Sequence, residues 1–215
     1  MERIDLKTYG LTPDFAKEAV KYDGLSLARV TAQYRDSYNI VEESGEKAAL
    51  VSGKFIYQAI AMTDFPAVGD WVMVNAGADG GEKAMIHQVL PRKSVFTRKA
   101  PGSGEETQIV AANIDVVFIC MSLKDDFNLR RLERYLTVAW DSGAKPMIVL
   151  TKADLCEDAA AMAAKAATAA IGAEIIVCSG VATEGEKAVR DSLRSGETVA
   201  FIGSSGVGKS TLINC

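Results

Sequence analysis

Apolar and polar residues alternate in short runs through the first part of the chain, at 25–31, 49–51, 54–57, 70–74 and 84–89. Turn formers such as Ser44-Gly45, Val68-Gly69-Asp70 and Ala78-Asp79-Gly80-Gly81 separate the runs. A two-residue period broken by turn formers predicts half-buried strands. About five of them predict a small all-β barrel, an OB-fold in the first instance. Ahead of the barrel, Thr12-Pro13 offers a cap and a first helical position, with Phe15, Ala19 and Val20 on one face. Residues 1–23 are therefore expected to form a short amphipathic lead-in that packs.

After 100–106, a stretch rich in Gly, Ser and Pro that reads as a connection, the pattern changes. Residues 114–121 form a continuous apolar run suited to a strand buried on both faces, and 128–140 carries apolar residues at 129, 132, 136 and 139, a helical stripe. The alternation continues with a strand at 146–150 and an alanine-rich helix over about 158–171 that ends at Gly172. A strand at 174–178, a helix near 184–194 ended by Gly196 and a strand at 198–202 follow. Strands alternating with helices predict an α/β parallel sheet. The expected organisation is an OB-fold domain with its helical lead-in over 1–105, followed by an α/β domain over 106–215.

Composition narrows the class without choosing a function. The chain has 215 residues, 48% of them hydrophobic and 24% charged, which is ordinary for globular protein. The start mixes both charge signs and leads into no apolar run long enough for a signal peptide or a membrane span, so a soluble cytoplasmic protein is expected. The four cysteines, Cys120, Cys156, Cys178 and Cys215, show no metal-ligand or disulfide spacing, and the one histidine, His87, lies in a strand-like stretch and reads as structural. A net charge of −4 speaks against nucleic-acid binding by bulk electrostatics and leaves room for a local basic patch. Arg92, Lys93, Arg98 and Lys99 place four cations with no acid among them between 92 and 99, a candidate contact for an RNA backbone; a solvated charged loop accounts for them equally well.

Chemistry enters with Gly203-Ser204-Ser205-Gly206-Val207-Gly208-Lys209-Ser210, a full match to G-x-x-x-x-G-K-[ST] between an expected strand and the helix opened by Thr211-Leu212-Ile213. Glycines let successive backbone N–H groups turn toward a β-phosphate, Lys209 brings a cation to the β and γ oxygens, and the Ser210 hydroxyl is placed to ligate Mg²⁺. The loop indicates a nucleoside triphosphate and leaves the base open.

At the carboxyl end of the 146–150 strand stands Thr151-Lys152-Ala153-Asp154, a variant of [NT]-K-x-D. Guanine offers two donors on one edge, N1–H and N2–H₂, and the Asp154 carboxylate can accept both, whereas adenine has no such pair. Lys152 would lay its stem over the base, and Thr151 would tie this loop to the phosphate loop through its hydroxyl. Ser179-Gly180, at the next strand end, stands where a backbone N–H would meet guanine O6. The base reader precedes the phosphate loop, the reverse of the usual order. Ligands of open α/β sheets bind at the carboxyl ends of the strands, so a circular permutation leaves such a site intact.

These motifs, with Phe65-Pro66-Ala67-Val68-Gly69-Asp70-Trp71-Val72, Pro91-Arg92-Lys93-Ser94 and Ala111-Ala112-Asn113-Ile114-Asp115, resemble the circularly permuted, ribosome small-subunit-dependent GTPase A (RsgA-type) family over nearly the whole chain. The resemblance implies an OB-fold domain, a permuted P-loop GTPase domain and a C-terminal zinc module, acting with GTP and Mg²⁺ in late assembly of the small ribosomal subunit, with its rRNA as partner. A monomer is expected. The chain stops at Cys215, and neither a switch I threonine nor a DxxG loop is supplied. It is therefore expected to be a truncated GTPase domain with little or no turnover of its own, any zinc lying beyond it. The alternative is an RNA-binding module whose nucleotide domain is a passive sensor. A third reading, an ATPase or small-molecule kinase, survives only if the match at 151–154 is coincidental.

Overall fold

The computed structural model of the protein describes residues 3–76, 83–99, 107–124, 126–179 and 183–214. They fall into two compact units, Met1–Ile114 and Asp115–Cys215. Each builds its own core.

In the first unit, α1 (Pro13–Ala19) follows a 3-10 turn at Leu6–Tyr9, and the Thr12 side chain caps α1 by accepting from the Phe15 N–H. Strands β1 (Ser26–Gln33), β2 (Tyr38–Glu42) and β3 (Gly45–Val51) form a meander, α2 (Gly53–Gln58) crosses over, and β4 (Trp71–Ala76) and β5 (Lys83–Val89) complete a closed barrel of order β1-β2-β3-β5-β4. Only β3 and β5 run parallel. This strand order, with a helix between β3 and β4, is that of an OB-fold.

Alternation explains how the barrel fills. Ala28, Val30, Ile40, Ala49, Val72, Val74 and Ile86 point into the barrel, while Trp71 and Met73 on the other face of β4 pack with Leu6, Phe15 and Leu90. The lead-in therefore serves as a cover for β4. The Arg29 guanidinium lies 5.2 Å from the centre of the Trp71 ring and donates to the Tyr9 carbonyl, which holds the cover down.

Three elements differ from the sequence pattern. Residues 54–57, read as a strand, lie in α2, because the Ser52 hydroxyl accepts from the Phe55 N–H and caps a helix whose one buried residue is Phe55. The fifth strand is instead β2. Residues 95–112 add a hairpin, β6 (Val95–Lys99) with β7 (Thr107–Ala112), so the first unit continues past 105 to Ile114. The glycine-rich connection at 100–106, like the turn at 78–81, lies outside the described residues.

The hairpin is fastened to the barrel unit by Asn113, one of two non-glycine residues with positive φ (56°) among the described residues. Its side-chain amide donates to the Gly69 carbonyl and accepts from the Lys93 N–H, and the Ser94 hydroxyl donates to the Ile114 carbonyl. Beside it Arg92 spends its whole fork. It donates to both oxygens of the fully buried Asp70, at 2.8 and 2.7 Å, and to the carbonyls of Thr63 and Phe65. Arg92 is thereby removed from the exposed basic cluster expected at 92–99, because its guanidinium is committed to an internal ion pair. Burial lifts the Asp70 carboxyl above the usual carboxylate range, against the opposing pull of Arg92 and of the Ala67 N–H.

In the second unit, β8 (Val116–Ser122), β9 (Lys145–Thr151), β10 (Glu174–Val177) and β11 (Val199–Ile202) form a parallel sheet of order β10-β9-β8-β11. Helices α3 (Leu129–Asp141), α4 (Ala159–Ala169) and α5 (Thr183–Asp191) connect the strands, and α6 (Lys209–Ile213) follows β11. Asn128 and Asp158 cap α3 and α4 through their side chains, and Leu132, Leu136 and Ala139 are the face that α3 buries. At the start of the sheet Asp115 exchanges two hydrogen bonds with Thr198 and accepts from the Lys145 N–H, which sets β8 in register between its neighbours.

Arg92→Ala leaves the buried Asp70 carboxylate without its counter-charge, and a loss of about 3–5 kcal/mol of stability is expected in denaturant titration at neutral pH. The unpaired carboxyl would protonate more readily in the fold than in the unfolded chain. Stability held by that proton is present at low pH and lost as pH rises, so the deficit should shrink as pH is lowered toward 4. A pH-independent deficit would contradict this account.

Candidate functional site

The candidate site lies in the second unit, where the loops after β9, β10 and β11 meet at the carboxyl edge of the sheet. β9 ends at Thr151, whose side chain is buried. The chain then turns through Lys152 at φ 57° into a 3-10 turn, Ala153–Leu155, which leaves Asp154 exposed beyond the strand end. β10 delivers Cys178 and Ser179, anchored by Cys178 N–H to the Leu150 carbonyl and by Ala153 N–H to the Cys178 carbonyl. The Ser179 hydroxyl donates to the Asp154 carboxylate at 2.7 Å and orients it. Gly180, expected beside Ser179, lies outside the described residues.

The loop after β11 runs through Gly203, Ser204, Ser205, Gly206, Val207 and Gly208 into α6. Gly203 has φ 146°, and a Cβ there would lie 2.2 Å from the Cys120 carbonyl oxygen of β8. No other residue fits so close to the neighbouring strand. Gly206 and Gly208 also hold positive φ, 76° and 99°. Val207 is buried in the core below the loop, with Cys120, Val149 and Cys178. Its carbonyl accepts the Thr151 hydroxyl at 2.6 Å, so the two motifs that the sequence separates are joined directly.

Lys209 folds back over the loop, its ammonium donating to the carbonyls of Gly203 and Ser204 at 2.8 and 2.6 Å. Ser210 and Thr211 are exposed on the first turn of α6, and Lys152 is half-buried. A cavity of about 100 Å³ lies between the loops, lined by Thr151, Lys152, Ser179, Gly208 and Thr211 together with Cys178 and Leu212. Sequence reasoning had no reason to single out the last two. Cys178 continues the inward-facing row of β10, and Leu212 stands one turn beyond Gly208, so both follow from periodicity once the elements are placed. The Cys120 thiol nearby is pushed up to about 12 by burial, which makes it an inert core group.

The expected RNA contacts belong to the first unit. Lys93 and Arg98 are exposed, and Arg98 donates to the Gln108 side chain across the hairpin. Lys99 ends β6 with its side chain outside the description. Among the described residues no cluster of three or more His, Cys, Asp or Glu is placed to hold a metal, and no helix is long and apolar enough to cross a membrane.

Comparison with known proteins places these features. The chain is 49% identical over 211 residues to the small ribosomal subunit biogenesis GTPase RsgA 2 of Lactiplantibacillus plantarum, an alignment covering 98% of this chain and 59% of that protein. It is 45% identical to the protein of the same name from Listeria monocytogenes, over 98% of this chain and 58% of the relative. It thus spans less than two thirds of the length of these curated relatives.

Among solved structures, YjeQ from Thermotoga maritima superposes with a TM-score of 0.70 at 22% identity, over 88% of this chain and 64% of that one. YloQ, described as a circularly permuted GTPase, superposes with a TM-score of 0.67 at 22% identity, covering 89% and 64%. These likenesses establish the fold, a barrel followed by a permuted GTPase sheet. The family model for RsgA GTPase matches residues 89–215, more than half of the chain and the whole of the site described above, and the protein is therefore a member of the RsgA GTPase family.

Proposed function

We propose that this chain is the barrel and guanine-nucleotide portion of a GTPase that hydrolyses GTP to GDP during late assembly of the small ribosomal subunit in the cytoplasm. The bond from Thr151 to the Val207 carbonyl carries the reading, because it puts a guanine-reading loop and a phosphate-binding loop at one strand edge with the separation fixed. A glycine-rich turn of no function has no need of a buried hydroxyl reaching it from the next motif.

In this reading Asp154 accepts N1–H and N2–H₂ of guanine, Ser179 holds the carboxylate for that task, and the stem of Lys152 covers the base. The Ala153 backbone flanks it. The loop 203–208 wraps the β-phosphate, and Lys209 exchanges the two loop carbonyls for phosphate oxygens, a charge-assisted pairing in place of a neutral one. Ser210, with a hard oxygen exposed next to Lys209, fits Mg²⁺, and Thr211 follows it at the phosphate end. That ion neutralises charge on the β and γ oxygens when bound. The exposed Lys93 and Arg98, with Lys99, offer cations to rRNA from the first unit.

Asp154→Asn replaces one acceptor oxygen with an N–H₂ group that opposes guanine N2–H₂ and suits the carbonyl at that position in xanthine. Preference in competition binding should therefore move from GDP toward XDP; retention of the wild-type guanine preference would remove Asp154 as the base reader. Lys209→Ala should lower GDP affinity by roughly one to two decades, the effect of losing one charge-assisted contact. Unchanged affinity would mean that the loop does not hold phosphate.

Thr151→Val leaves the Val207 carbonyl without its partner, at a cost of about 1–3 kcal/mol. A reduced melting temperature together with weaker GDP binding is the expected result, and wild-type values of both would show that the tie between the loops is dispensable.

A further inference from the structure

Two clefts of the first unit lie around the crossover between β3 and β4, and the nucleotide site proposed above uses neither of them. One, of about 590 Å³, is lined by residues 59–63 with Phe65 and Thr107, and none of these side chains carries a charge. Large apolar side chains crowd the same crossover at the surface. Ile56 is 53% exposed, Tyr57 91%, Ile60 96% and Met62 56%. Scattered surface apolar residues are ordinary, but four within seven positions form a patch.

The patch has a built shape. The Ser52 hydroxyl caps α2, the Phe55 and Phe65 rings meet edge to face at 5.8 Å, and the 3-10 turn Met62–Asp64 packs against β7. At the tip, one Asp64 carboxylate oxygen accepts the N–H groups of both Ile60 and Ala61, at 2.8 and 3.0 Å. These bonds hold the Asp64 carboxyl below its ordinary range. The acid is thereby spent on the loop itself while Ile60 projects from it. A tip fixed in this way has already met the cost of ordering, which favours binding.

From this geometry we infer that the 56–62 tip and its cleft dock an apolar element of a protein component of the small ribosomal subunit. Charge decides between protein and RNA. Residues 55–63 carry no side chain charged at neutral pH, and a phosphate backbone is held by cations. Charge-poor surface with Ile, Met and Tyr at its centre has the composition of a protein interface core. The ribosomal partner rests on the function proposed above.

The test uses small ribosomal subunits, the same RNA stripped of protein, and the Ile60→Ser/Met62→Ser double variant, whose substitutions lie at exposed positions. The double variant should bind subunits at least about ten-fold more weakly. It should keep the wild-type salt slope, stripped-RNA affinity and GDP affinity. Asp64→Ala, which frees the tip without touching its apolar surface, should weaken subunit binding by a smaller factor.

Equal subunit affinity of wild type and double variant overturns the docking proposal alone. A parallel loss on stripped RNA makes the occupant RNA, and concentration-dependent self-association that the variant abolishes makes it a second copy; either result overturns the proposal. Failure of the wild-type protein itself to bind subunits would remove the ribosomal reading and this proposal together.

Discussion

The site depends on one strand that carries none of its motifs. β8 is buried along its whole length and lies between β9, which ends in the loop of residues 151–154, and β11, which ends in the glycine-rich loop of residues 203–208. Parallel strands sit about 4.8 Å apart, so β8 fixes the spacing of the two loops. The close approach of Gly203 to the Cys120 carbonyl lowers the phosphate loop onto the sheet, and the Phe118–Phe201 ring contact holds the β8–β11 pair from below. Thr151 can reach Val207 only because this register is right. Chain order has no part in the geometry, which is why the reversed order of the motifs does not disturb it.

The first unit shows how residues that mark a family can do so for structural reasons. The stretches 65–72, 91–94 and 111–115 are among the residues that carry the family resemblance, and they converge on one set of buried polar contacts. Arg92 forks onto Asp70, Asn113 bridges Gly69 and Lys93, and Ser94 holds the Ile114 carbonyl. A buried carboxylate needs its partners, and an asparagine at positive φ is favoured where its amide satisfies two backbone groups. These residues hold the β6–β7 hairpin against the barrel unit, and a few residues on, Asp115 opens the sheet of the second unit.

The barrel unit offers two kinds of surface. Lys93 and Arg98 are exposed cations, and the crossover between β3 and β4 presents an uncharged tip whose shape is set by backbone hydrogen bonds to Asp64. Contacts of the first kind weaken with salt and favour phosphate, and those of the second kind are insensitive to salt and favour apolar partners.

The sequence alone determined the two-part architecture and the α/β order of the second half, and it marked residues 151–154 and 203–210 as the candidate site. Hydrophobic period, a cap such as Thr12 and glycine spacing are local signals, readable within about one turn or one strand. It also supplied the expectation that Thr151 reaches the phosphate loop. Only the tertiary structure decided what depends on distant partners. Residues 107–112 belong to the first unit because they pair with 95–99, and Arg92 turns inward because Asp70 is buried beside it. In both cases a partner outside the local window outweighed the local preference, whereas the helix at 54–57 follows from a local cap, Ser52, that the alternating pattern hid. Burial of a charge costs more than any local propensity provides, so Arg92 had to follow Asp70.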